Sequence, residues 1–566
     1  MFRSAYRLFS GAALSILLLA PGMSPYPTRV SAAGSTYTVN STADLPDSDV
    51  GIPSCLASNG LCTLRAAIQQ ANFTAGADTI LLPAGVYVLD RPGQDDVAVL
   101  GDLDITDDLT LQGAGSGVTI VDGNGAVTGD RVFQILSSAK KVTLSGLTMR
   151  HGKRTATFDE GGGLVWDGGG SQFSLSDVVI ENNAGYYGGG LYLNYSAQAD
   201  SVTLDHLVVQ ANTAATAAAG GLGVILGDFA AFTLKNSQIT GNMAYQGGGL
   251  FLQNQTANDF LSVVITNTSI LGNTANLSAG FENRAGSTAV PVILQNSTVS
   301  QNHASGYGGG IGNYGTLTIT TTTLDANSAV TRGGGIYDYE GGILNILQST
   351  LSRNTSTTGG GIYSEFFIHN AAGMVLTNST ISGNAASQDG AGIYADGGQI
   401  GLYNATVANN QVLVPAGTDY IGLGGGVYFM PRVGFTVQNA LIADNTHRYG
   451  TAPAEPDDCY GLINSKGYSL IETLTTNCTI FSLASGNITG LDPRLGPLQG
   501  SPGKTQVQRP MPGSPAIDAG ETPDCTDANG AAISIDQVGV ARPQGGGCDI
   551  GAVENLPVDE FLPYVQ

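Results

Sequence analysis

The stretch ITTTTLDANSAVTRGGGIYD, residues 319–338, carries every feature that decides the fold. Ile319 is followed five positions later by Leu324 and eight positions later by Asn327. A glycine triplet, Gly333 to Gly335, then leads into Ile336 and Tyr337. The same order recurs from Leu175, Leu204, Leu234, Ile265, Leu294, Ile346, Leu376, Leu402 and Val437, with Val, Ile or Leu always at the fifth following position. The eighth is always asparagine: Asn183, Asn212, Asn242, Asn273, Asn302, Asn327, Asn354, Asn384, Asn410 and Asn445. Starts are separated by 25 residues (Leu294 to Ile319) to 35 (Leu402 to Val437). A period of this size marks stacked copies of one unit, because a single copy cannot bury its own apolar face.

Nothing inside the unit reads as a helix. Its segments are short, rich in Val, Ile, Leu and Thr, and bounded by Gly, Asn and Ser. Three successive glycines weaken a strand, so each triplet reads as a turn with positive φ or a close approach between neighbouring coils. The large apolar residue after it points inward, and strand alternation turns the next one outward; Tyr192, Tyr337, Tyr363, Tyr394 and Tyr428 stand there. With coils about 4.8 Å apart, like amides at equivalent bends donate to and accept from one another. The expected fold is therefore all-β, a right-handed parallel β-helix of the pectin lyase-like kind with an asparagine ladder. A leucine-rich repeat also places Asn after an apolar pair, but it requires a helical second half where this chain has Gly-Gly-Gly-Ile-Tyr.

Residues 1–33 read as a secretion signal. Arg3 and Arg7 precede an apolar run from Leu8 to Ala20, and small residues around Ser31 and Ala33 supply a cleavage site. Taking Arg3, Arg7 and Arg29 from the 22 basic residues leaves 19 against 45 acidic ones, a net charge of −26. Such a surface excludes nucleic acid as a partner and disfavours an anionic membrane. No later stretch is long and apolar enough to span a bilayer. The expected product is a secreted, extracellular or surface-associated monomer. The six cysteines form local pairs, Cys55 with Cys62, Cys459 with Cys478 and Cys525 with Cys548, which reads as disulfides clamping the ends of an exported solenoid.

Residues 34–90 resemble the CSLREA domain found ahead of exported β-helices, through Cys62-Thr63-Leu64-Arg65-Ala66-Ala67-Ile68, Gln69 to Asn72 and Asp78-Thr79-Ile80. Ala66 stands where the family motif has Glu. Leu64, Ala67, Ile68 and Ala71 share one helical face and Thr63 caps its start, so this segment is expected to cover the open N-terminal end. The β-helix itself is assigned to residues 91–445. Its triplets followed by Ile or Leu, with Ile-x-x-Asn, are similar to the GGA[ILV] and FxxN repeats of chlamydial polymorphic outer membrane proteins, which are surface adhesins; Val, Ile or Leu replaces the Phe here. Residues 446–554 resemble the choice-of-anchor Q domain, through Leu491 to Leu498, Gly513-Ser514-Pro515-Ala516-Ile517-Asp518-Ala519-Gly520 and Asp536-Gln537 to Glu554. Residues 555–566 form a short tail.

Two charged stretches stand out. Asp95, Asp96, Asp102, Asp104, Asp107 and Asp108 read as a solvated acidic loop, with Ca²⁺ the only metal that hard oxygen ligands of this kind suggest; no other cofactor is expected. Lys140, Lys141, Arg150, His151, Lys153 and Arg154 form a basic island in an acidic chain, placed to meet an anionic glycan. Adhesion or carbohydrate contact without catalysis is the expected function, with an extracellular glycan or surface protein as partner and the tyrosines and basic island as contacts. The alternative is a polysaccharide lyase or hydrolase acting on an anionic glycan.

Overall fold

The computed structural model describes residues 34–555 apart from the short segments 196–199, 228–229, 255–261, 340–341, 366–371, 419, 432, 483 and 501–503. The signal at 1–33 and the tail beyond Asn555 lie outside the described residues. The chain forms a right-handed parallel β-helix of about twelve turns. A typical turn contributes strands to three faces, as in Thr316–Thr320 with Thr323–Asp325 on the first, Ser328–Ala329 on the second and Ile336–Asp338 on the third.

Sequence position and stacking register coincide throughout. Leu294 pairs with Ile319 and Ile319 with Ile346; Val299 pairs with Leu324 and Leu324 with Leu351; Ile311 pairs with Ile336 and Ile336 with Ile362. These residues are wholly buried and form three aliphatic columns of one continuous core. Asparagine occupies the bend between the first two faces. Nine successive Nδ2 to Oδ1 hydrogen bonds of 2.9–3.0 Å run from Asn183 to Asn445. Each Oδ1 also accepts the backbone N–H of the preceding rung, as Asn327 does from Asn302 at 3.1 Å. The ladder begins at the Gly152 N–H, which donates to Asn183, and ends on the Asp458 carboxylate, which accepts from Asn445.

A second bend escaped the sequence reading. Between the paired segments of the first face, one residue per turn has φ near +50°, including Asn267, Asn296, Thr321, Gln348 and Asn378. The residue after it is often Ser or Thr, whose buried hydroxyl accepts a backbone N–H from the previous turn: Ser297 from Thr268 at 3.1 Å and Ser349 from Thr322 at 3.1 Å. Asn tolerates the left-handed region and Ser or Thr fills a small polar slot, which is why Asn-Ser and Asn-Thr recur. At the third bend the first glycine of each triplet is left-handed, Gly333 at φ 65°. The second permits close approach, since a Cβ on Gly334 would lie 2.4 Å from the Thr355 carbonyl oxygen.

Both ends are closed, by different means. The helix Leu64–Phe73 packs its apolar face onto the core, and the Thr63 hydroxyl accepts the Ala66 N–H. The buried Arg65 guanidinium meets Asp44 at 2.6 and 3.1 Å and donates to the carbonyls of Ala98, Gly101 and Asp102. At the other end Cys459–Ser465, Leu470–Ile471 and Cys478–Ile480 extend the stack. The remainder of the C-terminal module then turns back along the flank. Gln537 bonds Thr380 Oγ1 at 2.6 Å and Thr350 Oγ1 at 2.9 Å, and Asn404 Nδ2 donates to the Thr526 carbonyl at 2.8 Å. The buried Arg542 and Glu554 of this module pair at 2.8 Å and hold its loops together. All three cysteine pairs are joined, Cys55 to Cys62, Cys459 to Cys478 and Cys525 to Cys548. No helix among the described residues is long and apolar enough to cross a membrane.

Candidate functional site

The outer face of the strands that follow the glycine triplets carries one residue per turn in a continuous register. It runs from Asp104 through Tyr192, Phe251 and Glu282 to Tyr337, Tyr363, Tyr394, Tyr428 and Tyr460. From Tyr337 onward the rings stack with centroids 5.8, 4.8, 5.0 and 4.6 Å apart, and Tyr307 covers the near end at 4.4 Å. This bears on the expectation that these tyrosines are ligand contacts. The tyrosines do leave the core side of the sheet, but the faces of Tyr337, Tyr363, Tyr394 and Tyr428 are covered by their ring neighbours, and Tyr337 and Tyr363 are each 3% exposed. Tyr192 stands apart, in an apolar cluster with Val165, Ile225 and Phe251.

Beside the stack lies the residue that precedes each triplet. Tyr307, Arg332 and Thr358 are bridged in succession there, and Asp389 is next in order. Between this corner and the stack opens a cleft of about 270 Å³, lined by Thr331, Arg332, Thr357, Thr358, Gln388 and Asp389 on one side, Tyr363 and Tyr394 at its base and Tyr420 at its rim. Arg332 lies over the Tyr363 ring, 4.9 Å from its centroid, and its Nη1 donates to Glu365 Oε2 at 2.9 Å. The Tyr337 hydroxyl donates to the same oxygen at 2.7 Å. Asp389 accepts the Leu423 N–H at 2.9 Å through one oxygen and the Tyr420 hydroxyl through the other. Burial, with a smaller contribution from Asp457, raises Asp389 to about 6. Burial likewise pushes the phenols up, Tyr428 to about 12 and Tyr337 and Tyr394 further, so they remain neutral donors. With Glu365 engaged by a guanidinium and a phenol and Asp389 by a phenol and a backbone N–H, the described residues make the cleft an array of oriented hydrogen-bonding groups.

Sequence reasoning singled out none of Arg332, Glu365, Asp389 or Tyr420. The available signal was positional: the residue before the triplet is Ala218, Leu277 or Leu423 in some turns and Arg332, Thr358 or Asp389 in neighbouring ones. The basic island, by contrast, is dispersed. Lys140 Nζ donates to the carbonyls of Ser137 and Gly169, and Lys141 opens the strand Lys141–Ser145. Arg150 ends a different segment and pairs with Asp122 at 2.9 Å, as does His151 at 3.0 Å. Lys153 and Arg154 lie on a separate sheet, where Arg154 meets Asp159 at 2.9 Å. The acidic stretch is also not a solvated loop: Asp102 and Asp104 are buried, and Asp95 and Asp108 accept backbone N–H groups. Burial, then nearby acids, raise Asp104 to about 7.

Among the described residues that stretch offers no three carboxylates converging on one point. Asp444, Glu472 and Asp492 do converge, on an exposed rim, and these are hard oxygen donors of the type that holds Ca²⁺. A cavity of about 550 Å³ lies among Pro497, Pro510, Met511, Ile517 and Asn555 in the C-terminal module. Its carboxylates are committed to local backbone, Asp518 to Gly546 N–H and Asp549 to the N–H groups of Asp518 and Asn555. The smaller cleft is the candidate site, because its lining is drawn from successive turns along the solenoid.

No family model and no curated protein matches the chain. Among solved structures, the pectate lyase Pel9A is similar over 93% of this chain and 98% of its own, with 14% identity and a TM-score of 0.30. The A-module of the mannuronan C-5 epimerase AlgE6 of Azotobacter vinelandii is similar over 76% and 95%, with 14% identity and a TM-score of 0.24. The AlgE4 A-module from the same organism gives 76% and 92%, 15% and 0.22. Nothing in the cleft is carried over from them.

Proposed function

We propose that this chain is an exported β-helix that binds a polysaccharide without cleaving it, along the outer face beside the tyrosine stack, with the Arg332 cleft as its polar focus. The observation that carries the reading is the cleft's construction. Arg332, Thr358, Asp389 and Tyr420 come from successive turns and present donors and acceptors along the solenoid axis. Successive turns lie about 4.8 Å apart, close to the length of one pyranose unit in an extended chain. At about 270 Å³ the cleft sits just below the usual range of about 300–1,000 Å³ for ligand pockets, a size for one ring of a longer polymer. The signal at the N-terminus and the three disulfides support export, with the CSLREA-like and choice-of-anchor Q-like modules serving to close and brace the scaffold.

Retention on a polysaccharide panel, with a reducing-end assay on every polymer retained, tests this reading. Binding without new reducing ends is expected. Arg332→Ala, which removes the donor and leaves the Glu365 carboxylate with the Tyr337 hydroxyl but no counter-ion, is expected to weaken binding about tenfold or more, since a hydrogen bond involving a charged group contributes about 1.5–3 kcal/mol. Release of oligosaccharides, or an Arg332→Ala affinity equal to that of the parent, would overturn it.

A further inference from the structure

Resting on the glycan-binding reading, we infer that the polymer this groove accepts is uncharged, and that the groove is built to exclude polyuronates. The cations on this face are already neutralised. Among the described residues, Arg131 is 3.5 Å from Asp102, Arg284 2.5 Å from Glu282 and Arg332 2.9 Å from Glu365. Arg332 and Arg284 also lie against aromatic rings, 4.9 Å from the Tyr363 centroid and 4.8 Å from that of Tyr314, so each guanidinium keeps N–H groups for a neutral hydroxyl while its charge is already matched.

What remains open in the cleft is neutral or acidic. Thr357 and Thr358, whose hydroxyls donate to Val330 O and Gln388 Oε1, keep acceptor capacity, Gln388 offers its amide N–H groups, and the carboxylate lining the cleft, Asp389, already accepts from Tyr420 and the Leu423 N–H. A polyuronate brings one carboxylate per sugar and needs a cation for each, or a bridging metal. Among the described residues, the cations of this face each have a counter-ion, and those lining the cleft include no three carboxylates gathered on one point. The long-range field acts in the same direction, since the chain carries a net charge of −23 and like charge slows and weakens the approach of an anionic polymer. An uncharged glycan meets none of this opposition and gains a hydrogen bond at each oriented group.

The test uses the full chain in affinity electrophoresis against β-glucan, xylan and mannan, and against polygalacturonate and alginate, at low and at physiological ionic strength. At the latter, screening shortens to about 8 Å. Retention by a neutral polymer with an affinity unchanged by salt, and no retention by the polyuronates, is expected. Polyuronate binding that weakens with salt would overturn the inference while leaving glycan binding intact. Retention by none of the polymers would overturn both. Glu365→Gln provides a second arm, because it leaves the Arg332 charge without its counter-ion. It is expected to raise polyuronate affinity about tenfold at low salt, and the absence of any gain would show that charge is not what excludes the acid polymer.

Discussion

Asn327→Ala is expected to destabilise the protein by on the order of 4 kcal/mol, measured as a shift in the urea midpoint. Asn327 Oδ1 accepts from Asn302 N and Nδ2 at 3.1 and 2.9 Å, and its own Nδ2 donates to Val299 O and Asn354 Oδ1 at 2.9 and 3.0 Å. Truncation leaves the Asn302 N–H and one Asn302 Nδ2 hydrogen buried without acceptors, each costing about 1–3 kcal/mol, and takes one donor from the Val299 carbonyl, which stays in the strand ladder with Thr323–Asp325. Asn354 Oδ1 keeps one donor, the Asn327 backbone N–H, so the damage falls mainly on the preceding turn. Because each turn touches only its neighbours, amide exchange should quicken most between Leu294 and Asn354. Asn327→Asp should be no milder near neutral pH. At the last rung Asp458 only has to accept, whereas at 327 a carboxylate would face Val299 O and Asn354 Oδ1 with no proton to offer. A cost below about 1 kcal/mol for Asn327→Ala would mean that the ladder ornaments the bend instead of holding it.

Stability is expected to rise as pH falls from 8 to 5, the reverse of ordinary acid denaturation. Burial raises Asp104, Asp338, Asp458 and Glu554 to about 7 and Asp389 and Asp444 to about 6. In the unfolded chain these groups titrate near 4. Between about pH 4 and the folded values, the native state holds protons that the unfolded chain has released, so folding is favoured by acid and that stability is lost as pH rises through about 6 to 7. Asp338 is wholly enclosed, with its one hydrogen bond from Asn313 Nδ2 at 2.8 Å and its other oxygen unpartnered. At about 1.4 kcal/mol per pH unit, it alone accounts for on the order of 3 kcal/mol between pH 8 and pH 5. Groups shifted downward by partners, such as Asp122 beside Arg150 and His151 although burial opposes them, act in the other direction only at lower pH. Asp338→Asn keeps the acceptor for Asn313 and continues the amides of Asn283 and Asn313, with which it is in register. It should raise the unfolding temperature at pH 8 and flatten its pH dependence. An unfolding temperature that is flat or falls from pH 8 to pH 5 would contradict the account.

The sequence by itself determined the winding. Ile319, Leu324, Asn327 and Ile336 recur at fixed offsets, and stacking at one coil spacing makes residues with the same offset meet, so a linear pattern reads directly as columns, ladder and cap. Lateral relations carry no such signature. Whether Arg150 and Lys153 share a face depends on how far the chain rotates at the bend between them, and it turns them onto different sheets. Whether a tyrosine's ring is open depends on what its neighbours in the stack cover. Arg332, Glu365, Asp389 and Tyr420 are drawn from different turns and joined by loops of unequal length, and the C-terminal module returns along a flank that no offset predicts. Only the tertiary structure decided these, because side-by-side placement is set by loop path and packing geometry, which a periodic sequence leaves unencoded.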